Sequence, residues 1–397
     1  MCLAKLPARE MAVKTLCLVN SKIVNRGGIA AHMKRAVRRL SSFAGPNGLP
    51  CAAMKRRQAA GVTMTNEMLQ PSKQYPASGE AGSLWGNTMP AGTEMAQSQA
   101  ADVPAATDEP PHDPCPTPLA WEQVLDAFRS DAELWELRQG GTTIRGRTWG
   151  DGPPVYLLPG LGGTHELYAL LVWLLREDFR CVVYDDFSLD RGSRQSTATL
   201  VDNLFAVADR QGDRQFHLFA PAFASVTAFS AMLAEPNRIL TAAIQGGYAH
   251  RQLSLTERLL IGVGRRLRRP LASVPFWSTL QTQNHLPWFP PIDRGRWSFF
   301  LADTGQLPVS ALAERAAVLK EFDVRNRLGE VSQPVLLIRT EGEGQLAAGC
   351  QELLDQRIAN TQVERLHSSG QLPYLTHPHR LAKLLKTFFP QAATGGL

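Results

Sequence analysis

The sequence predicts an α/β fold: a doubly wound, mostly parallel sheet with helices on both faces and a helical insertion late in the chain. Three observations predict it. Short apolar runs of strand length recur from about residue 155 onward, and they are apolar at successive positions, as strands buried on both faces are. Amphipathic stretches of helix length separate most of them. Between 249 and about 330 the alternation stops, and the chain becomes helical and aromatic, with Trp277, Trp288, Trp297, Phe299 and Phe300.

Taken in order, 134–139 and 143–148 flank Gly140-Gly141 and read as a hairpin. Buried strands follow at 155–158, 181–184, 216–220, 240–244, 335–338 and 363–366. The helices between them are expected at 165–176, 197–211, 223–235, 346–357 and 378–389. The insertion, about 250–325, falls after the sixth strand and is expected to act as a lid over the strand ends. Its segment Leu286-Pro-Trp-Phe-Pro-Pro291 supplies aromatic anchors for a pocket.

The rest of the 397 residues divides by composition. Residues 1–60 hold twelve Lys or Arg against one acid, Glu10, a net of +11 in a chain whose total is +6, which leaves −5 for the remainder. The basic balance therefore belongs to the leader. No basic stripe with interleaved aromatics follows, so nucleic acid is not an expected partner. The leader is Arg-rich and acid-poor, as organellar transit peptides are. It reads rather as a disordered tail or as an overlong gene model, since eight of the nine Met precede residue 96. The expected location is the cytoplasm, with an organelle as the alternative if the leader targets. Residues 61–117 contain four Leu, Ile, Val or Phe and end in a Pro-rich run, too little apolar surface to offset the entropy of ordering; they read as a disordered linker. The folded unit is then 118–390. No apolar run approaches the roughly 18 to 20 residues of a spanning helix. The six cysteines are scattered, with no CxxC pair, which argues against a zinc site or a disulfide scaffold. No metal or cofactor is expected; Cys181, Asp185 and Asp186 lack any ligand spacing.

The stretch Trp149-Gly-Asp-Gly-Pro-Pro-Val-Tyr-Leu-Leu-Pro-Gly-Leu-Gly-Gly163, the strand and helices over 203–235, Pro334-Val-Leu-Leu-Ile, and Ser369-Gly-Gln-Leu-Pro-Tyr-Leu-Thr-His-Pro378 together resemble the α/β-hydrolase family over 134–390. The resemblance implies an oxyanion loop at Gly160, Leu161 and Gly162, a nucleophile elbow, an acid after the seventh strand and a histidine after the eighth. At the elbow the family's Gly-x-Ser-x-Gly, a strained strand-to-helix turn, reads Ala220-Pro-Ala222-Phe-Ala224. The nucleophile position is Ala222, which has no atom to attack with. The nearest hydroxyl, Ser225, lies one turn into the helix. Gly-His-x-Pro reads Gly370-Gln371-Leu-Pro373, and an amide is no general base near neutral pH. The acid falls at Glu343, with Glu341 as the alternative register, and is expected to bind Gln371 or water.

The triad-equivalent set is therefore Ala222, Glu343 and Gln371, with none of it intact as a serine triad. The ligand-facing set is Gly160, Leu161, Gly162, Phe223, His165, His250 and Trp288, the backbone N–H groups of the loop and of Phe223 favouring a carbonyl or an anion. The expected function is a catalytically silent homologue that binds a small apolar or carbonyl-containing ligand or a partner protein. The alternatives are an active hydrolase working through His250, His367 or Glu343, and a scaffold with a filled pocket.

Overall fold

In a computed structural model of the chain the structure describes residues 120–187, 194–291 and 293–394. The leader of 1–60 and the linker of 61–117 lie outside the described residues.

All eight expected strands form, but the last is not buried as expected: at the edge of the sheet, 361–366 buries only Leu366, because Glu364 and Arg365 interrupt its apolar residues. The hairpin is β1 (Glu133–Gln139) and β2 (Thr142–Trp149), paired antiparallel around Gly140 and Gly141, both at positive φ. The others are β3 (Pro154–Leu157), β4 (Arg180–Asp185), β5 (Phe216–Pro221), β6 (Ile239–Gln245), β7 (Val335–Thr340) and β8 (Thr361–Leu366). They form one sheet in the order β1-β2-β4-β3-β5-β6-β7-β8; β2 meets β4 antiparallel, and every pair from β4 to β8 is parallel.

The helices are α1 (Trp121–Asp131), α2 (Ala169–Leu175), α3 (Thr197–Gln211), α4 (Ser225–Ala234), α5 (Leu255–Gly264), α6 (Trp277–His285), α7 (Arg294–Gln306), α8 (Val309–Val318), α9 (Gly344–Arg357), α10 (Pro373–Thr376) and α11 (Pro378–Thr394). The sequence reading gave no helix at α1. Its buried residues, Trp121, Val124, Leu125 and Phe128, are three and four apart, one face of a helix, but the Pro-rich stretch before them masks that signal. The helices expected from 165 and 223 each start with a 3₁₀ turn instead, His165–Tyr168 and Ala222–Ala224, because each follows a sharp turn off a strand end. In α3, Ser196 Oγ accepts from Thr199 N–H at 3.1 Å, and Gly212 ends the helix in the left-handed conformation.

The pleat divides the core. Val155 and Leu157 of β3 pack with Leu171, Phe179 and Leu385 on one face, while Tyr156 packs with Leu204 and Phe229 on the other. All six residues of β5 are buried, which fixes its register and therefore where its exit stands. The insertion between β6 and β7 has a small core of its own, with Leu271, Trp277, Leu307 and Leu312. It rests on the loop after β3: the Asp303 carboxylate of α7 accepts from Thr164 N–H at 2.8 Å and from Thr164 Oγ1 at 2.6 Å.

Candidate active site

At the exit of β5 the backbone of Ala222 is left-handed, φ 45°, a conformation that costs a residue with a Cβ about 1–2 kcal/mol. Pro221 and Phe223 on either side are buried, yet Ala222 is exposed, so the turn lifts its methyl group into solvent. Ser225 is fully buried; its hydroxyl donates to Ala222 O at 2.7 Å and accepts from Tyr248 N–H at 3.2 Å. That hydroxyl serves the start of α4 and faces no solvent.

The loop after β3 is held by two acids. Asp303 fixes Thr164 from above. Asp185, ending β4, accepts from His165 N–H at 2.7 Å and lies 2.6 Å from His165 Nδ1, so Nδ1 carries the proton in this pair. Burial opposes the charged imidazole, but Asp185 outweighs it and the His165 pKa is raised. Burial also lifts Asp303 to about 6, against the two Thr164 bonds. Gly163, at φ 90°, can only be glycine, since a Cβ there would strike Leu167. A cavity opens beside this loop, lined by Gly160, Gly162, Gly163, His165, Tyr168 and Tyr374 among others. The space it encloses is about 10 Å³, room for about one water molecule and far below the roughly 300–1,000 Å³ of pockets for drug-sized ligands. Leu161, Phe223, His250 and Trp288 lie outside its lining.

Glu343, in the turn after β7, is buried. It does not take its hydrogen bonds from Gln371 as expected. The Gln245 amide ending β6 donates to one oxygen and the Gln351 amide of α9 to the other, the latter at 3.4 Å. Burial raises the Glu343 pKa to about 7, with the Gln245 bond opposing. Glu341, the alternative register, is exposed and pairs with His367 at 3.0 Å. Gln371 is half-buried in the loop after β8, and Gly342 N–H ties that loop to the β7 exit through Ser369 O at 3.0 Å.

The aromatic segment of the insertion reaches this side. Trp288 lies on Gly342 and Gly370, where a Cβ at Gly370 would fall 2.5 Å from Trp288 Cγ. The indole thus flanks Gln371 rather than roofing the cavity. His250 faces the end of the insertion, with Nδ1 3.1 Å from Phe322 O. His217, on β5, is a core residue bonded to Thr241 Oγ1 at 2.8 Å.

Sequence reasoning missed one central residue. Arg315 of α8 is fully buried among the strand ends. Its guanidinium pairs with Asp186 just past β4, donates to Pro159 O at 3.0 Å, and lies 4.9 Å from the centre of the Phe223 ring. The only signal was an arginine on the apolar side of a helix, between Leu312 and Ala316. Asp185 and Asp186 therefore serve a histidine and an arginine; among the described residues no cluster fits a metal ion.

No family model matches the chain. A pimeloyl-[acyl-carrier protein] methyl ester esterase of Aromatoleum aromaticum is 31% identical over 86 residues, 22% of this chain and 34% of that protein. The chain thus matches only about a third of that relative's length. A protein of Agrobacterium fabrum named as the carbamate hydrolase RutD is 24% identical over 216 residues, 50% of this chain and 78% of that one. Among solved structures, a hydrolase from Pseudomonas aeruginosa PA01 superposes with a TM-score of 0.56 at 19% identity, covering 64% of this chain and 97% of its own. The chain has the α/β-hydrolase fold.

Proposed function

We propose that this chain is a catalytically silent member of that fold, which holds a small carbonyl-containing ligand at the elbow without cleaving it. The observation that carries the reading is Ala222: its methyl group stands exposed on a left-handed turn, where the fold presents its nucleophile. An open elbow and a glycine-rich loop favour a ligand over a plugged scaffold, and backbone N–H groups at Leu161 and Phe223 suit a carbonyl oxygen or an anion. The two relatives above are named for an ester and a carbamate, both carbonyl compounds. Gln371 supplies no base, and Glu343, bonded to two glutamines, supports none.

The test is a serine-directed fluorophosphonate probe alongside a panel of activated esters. The parent should neither label nor turn over, while esters and their carboxylic acids raise its melting temperature. Ala222→Ser with Gln371→His is the positive control: it should label at Ser and show weak esterase activity, each single variant staying near background because nucleophile and base act as a unit. Stoichiometric labelling of the parent at any serine overturns the reading.

A second reading, hydrolysis through other residues, has one observation in its favour. His165 lines the cavity, and Asp185 behind it holds the imidazole at the wall. Turnover by the parent that is lost in His165→Gln would decide for it.

A further inference from the structure

We propose that the outward face of α5, with the arginine run that follows it, docks on an anionic lipid surface. Leu255 and Leu259 are one helical turn apart and so share a face, and they are 84% and 54% exposed, a costly arrangement in water. The opposite face, with Leu260, Ile261 and Gly264, is buried against the fold. Arg258 and Arg266 flank the leucines, and Arg268 and Arg269 follow; all four are exposed. None of the four has an ion-pair partner among the described residues.

The segment keeps its acid away from this face. Glu257, the only acid between 255 and 276, is buried and bonded to Ser254 and Arg251. Arg265 is the one arginine of the run drawn inward, onto Glu314 of α8 at 2.6 Å. The exposed leucines are thus followed along the chain by exposed arginines, on a chain that is net acidic beyond residue 60. A third exposed apolar side chain belongs to the same insertion: Phe276 is 71% exposed and held at φ 64°, a strained conformation for a residue with a Cβ.

Charge selects the occupant. A second copy docking through the same face would set four arginines against four. Nucleic acid would use the arginines and leave the leucines in water. A bilayer rich in anionic lipid meets both demands, with phosphates on the arginines and acyl chains under the leucines. Among the described residues no helix is long and apolar enough to cross a membrane, so the contact is peripheral. Because α5 is bonded to α8, and α8 carries Arg315, the docking face stands one helix from the cleft. The proposal is independent of what the cleft binds.

The experiment uses the full chain with vesicles of phosphatidylglycerol and phosphatidylcholine, or of phosphatidylcholine alone, read by sedimentation and by hydrogen exchange peptide by peptide. The peptides over 255–276 should be protected on the mixed vesicles and not on the neutral ones. Leu255→Ser with Leu259→Ser, which leaves every charge in place, should weaken partitioning about tenfold and abolish that protection. Arg268→Glu with Arg269→Glu should weaken it at least as much and flatten its salt dependence. Unchanged melting temperatures show that both variants fold. The basic leader will also meet anionic vesicles, so protection confined to residues 1–60, with the leucine and arginine variants binding like the parent, overturns the proposal. So does an oligomer that the leucine variant dissociates, or equal protection of 255–276 by duplex DNA.

Discussion

The exits of β4 and β7 both bury carboxyl groups near the elbow, and they solve the same problem in opposite ways. At β4, Asp185 and Asp186 each meet a basic side chain, His165 and Arg315. At β7, Glu343 meets neutral donors, the amides of Gln245 and Gln351 together with Thr340. Removing a carboxylate from water costs several kcal/mol unless a partner charge or dense hydrogen bonding offsets it. The β4 side supplies the charge, and one of its cations comes from the insertion, 129 residues away. The β7 side supplies no paired cation, and burial carries the Glu343 pKa to about 7 against its hydrogen bonds and the charge of Arg339. With glutamine at 371, no imidazole stands at the histidine position to favour the ionised form. Half of the cleft floor is an ion-paired clamp; the other half is a hydrogen-bonded carboxyl with no paired cation.

The comparison breaks most visibly at Arg315. Arg315→Met leaves Asp186 buried without its cation and should cost about 3–5 kcal/mol in urea unfolding. Arg315→Met with Asp186→Leu should regain most of that loss, since a well-packed apolar pair is often as stable as the ion pair it replaces. A single variant within 1 kcal/mol of the parent would show that the clamp bears no weight.

Why the sequence revealed one half of this floor and hid the other follows from distance along the chain. The strands were legible because runs such as Val335 to Ile338 are apolar at every position, and all four of those residues are buried. The elbow was legible because a strand, a turn and a helix within nine residues define it, and φ 45° at Ala222 shows the turn itself. Glu343 was placed at the β7 exit, but its partners were not foreseen, because Gln245 lies 98 residues earlier. His165 and Asp185 were each noticed, one as a ligand contact and one as a metal candidate; their pairing depends on the parallel packing of β3 beside β4. The exposed leucines of α5 passed as ordinary helix, because hydrophobic spacing alone does not tell which face of an inserted helix is covered.

Glu343 gives a sharper, smaller test. Its pKa in the folded chain, about 7, lies above the ordinary 4.5, so the native state binds this proton more tightly than the unfolded state does. Its contribution to stability is full below pH 4.5, falls as pH rises towards 7, and stays flat above. At roughly 1.4 kcal/mol per unit the fall is on the order of 3 kcal/mol. Asp303 and His165 are also raised and lose stability with rising pH, so the measurement is the difference between parent and Glu343→Gln. That difference should grow in favour of the variant between pH 5 and 7.5. A constant difference across that range would place the Glu343 pKa near its ordinary value and remove the contrast between the two exits.

The smallest expected effect lies between the exits, on β5, which the sheet order sets between β3 and β6. Ala222 keeps the left-handed backbone of an elbow while having no reactive group to present. Its Cβ costs about 1–2 kcal/mol in that conformation, and glycine would relieve the strain while adding roughly 0.5–1 kcal/mol of chain entropy to the unfolded state. The methyl is exposed, so little packing is lost. Ala222→Gly should therefore stabilise the fold by about 0.5–1 kcal/mol, read from the denaturation midpoint at constant slope. A loss of stability instead would mean that the methyl makes contacts in solution, through an occupant of the elbow or a closed insertion. A gain would mean that this chain retains a strained turn at a residue with no reactive group, as the proposed ligand-holding elbow requires.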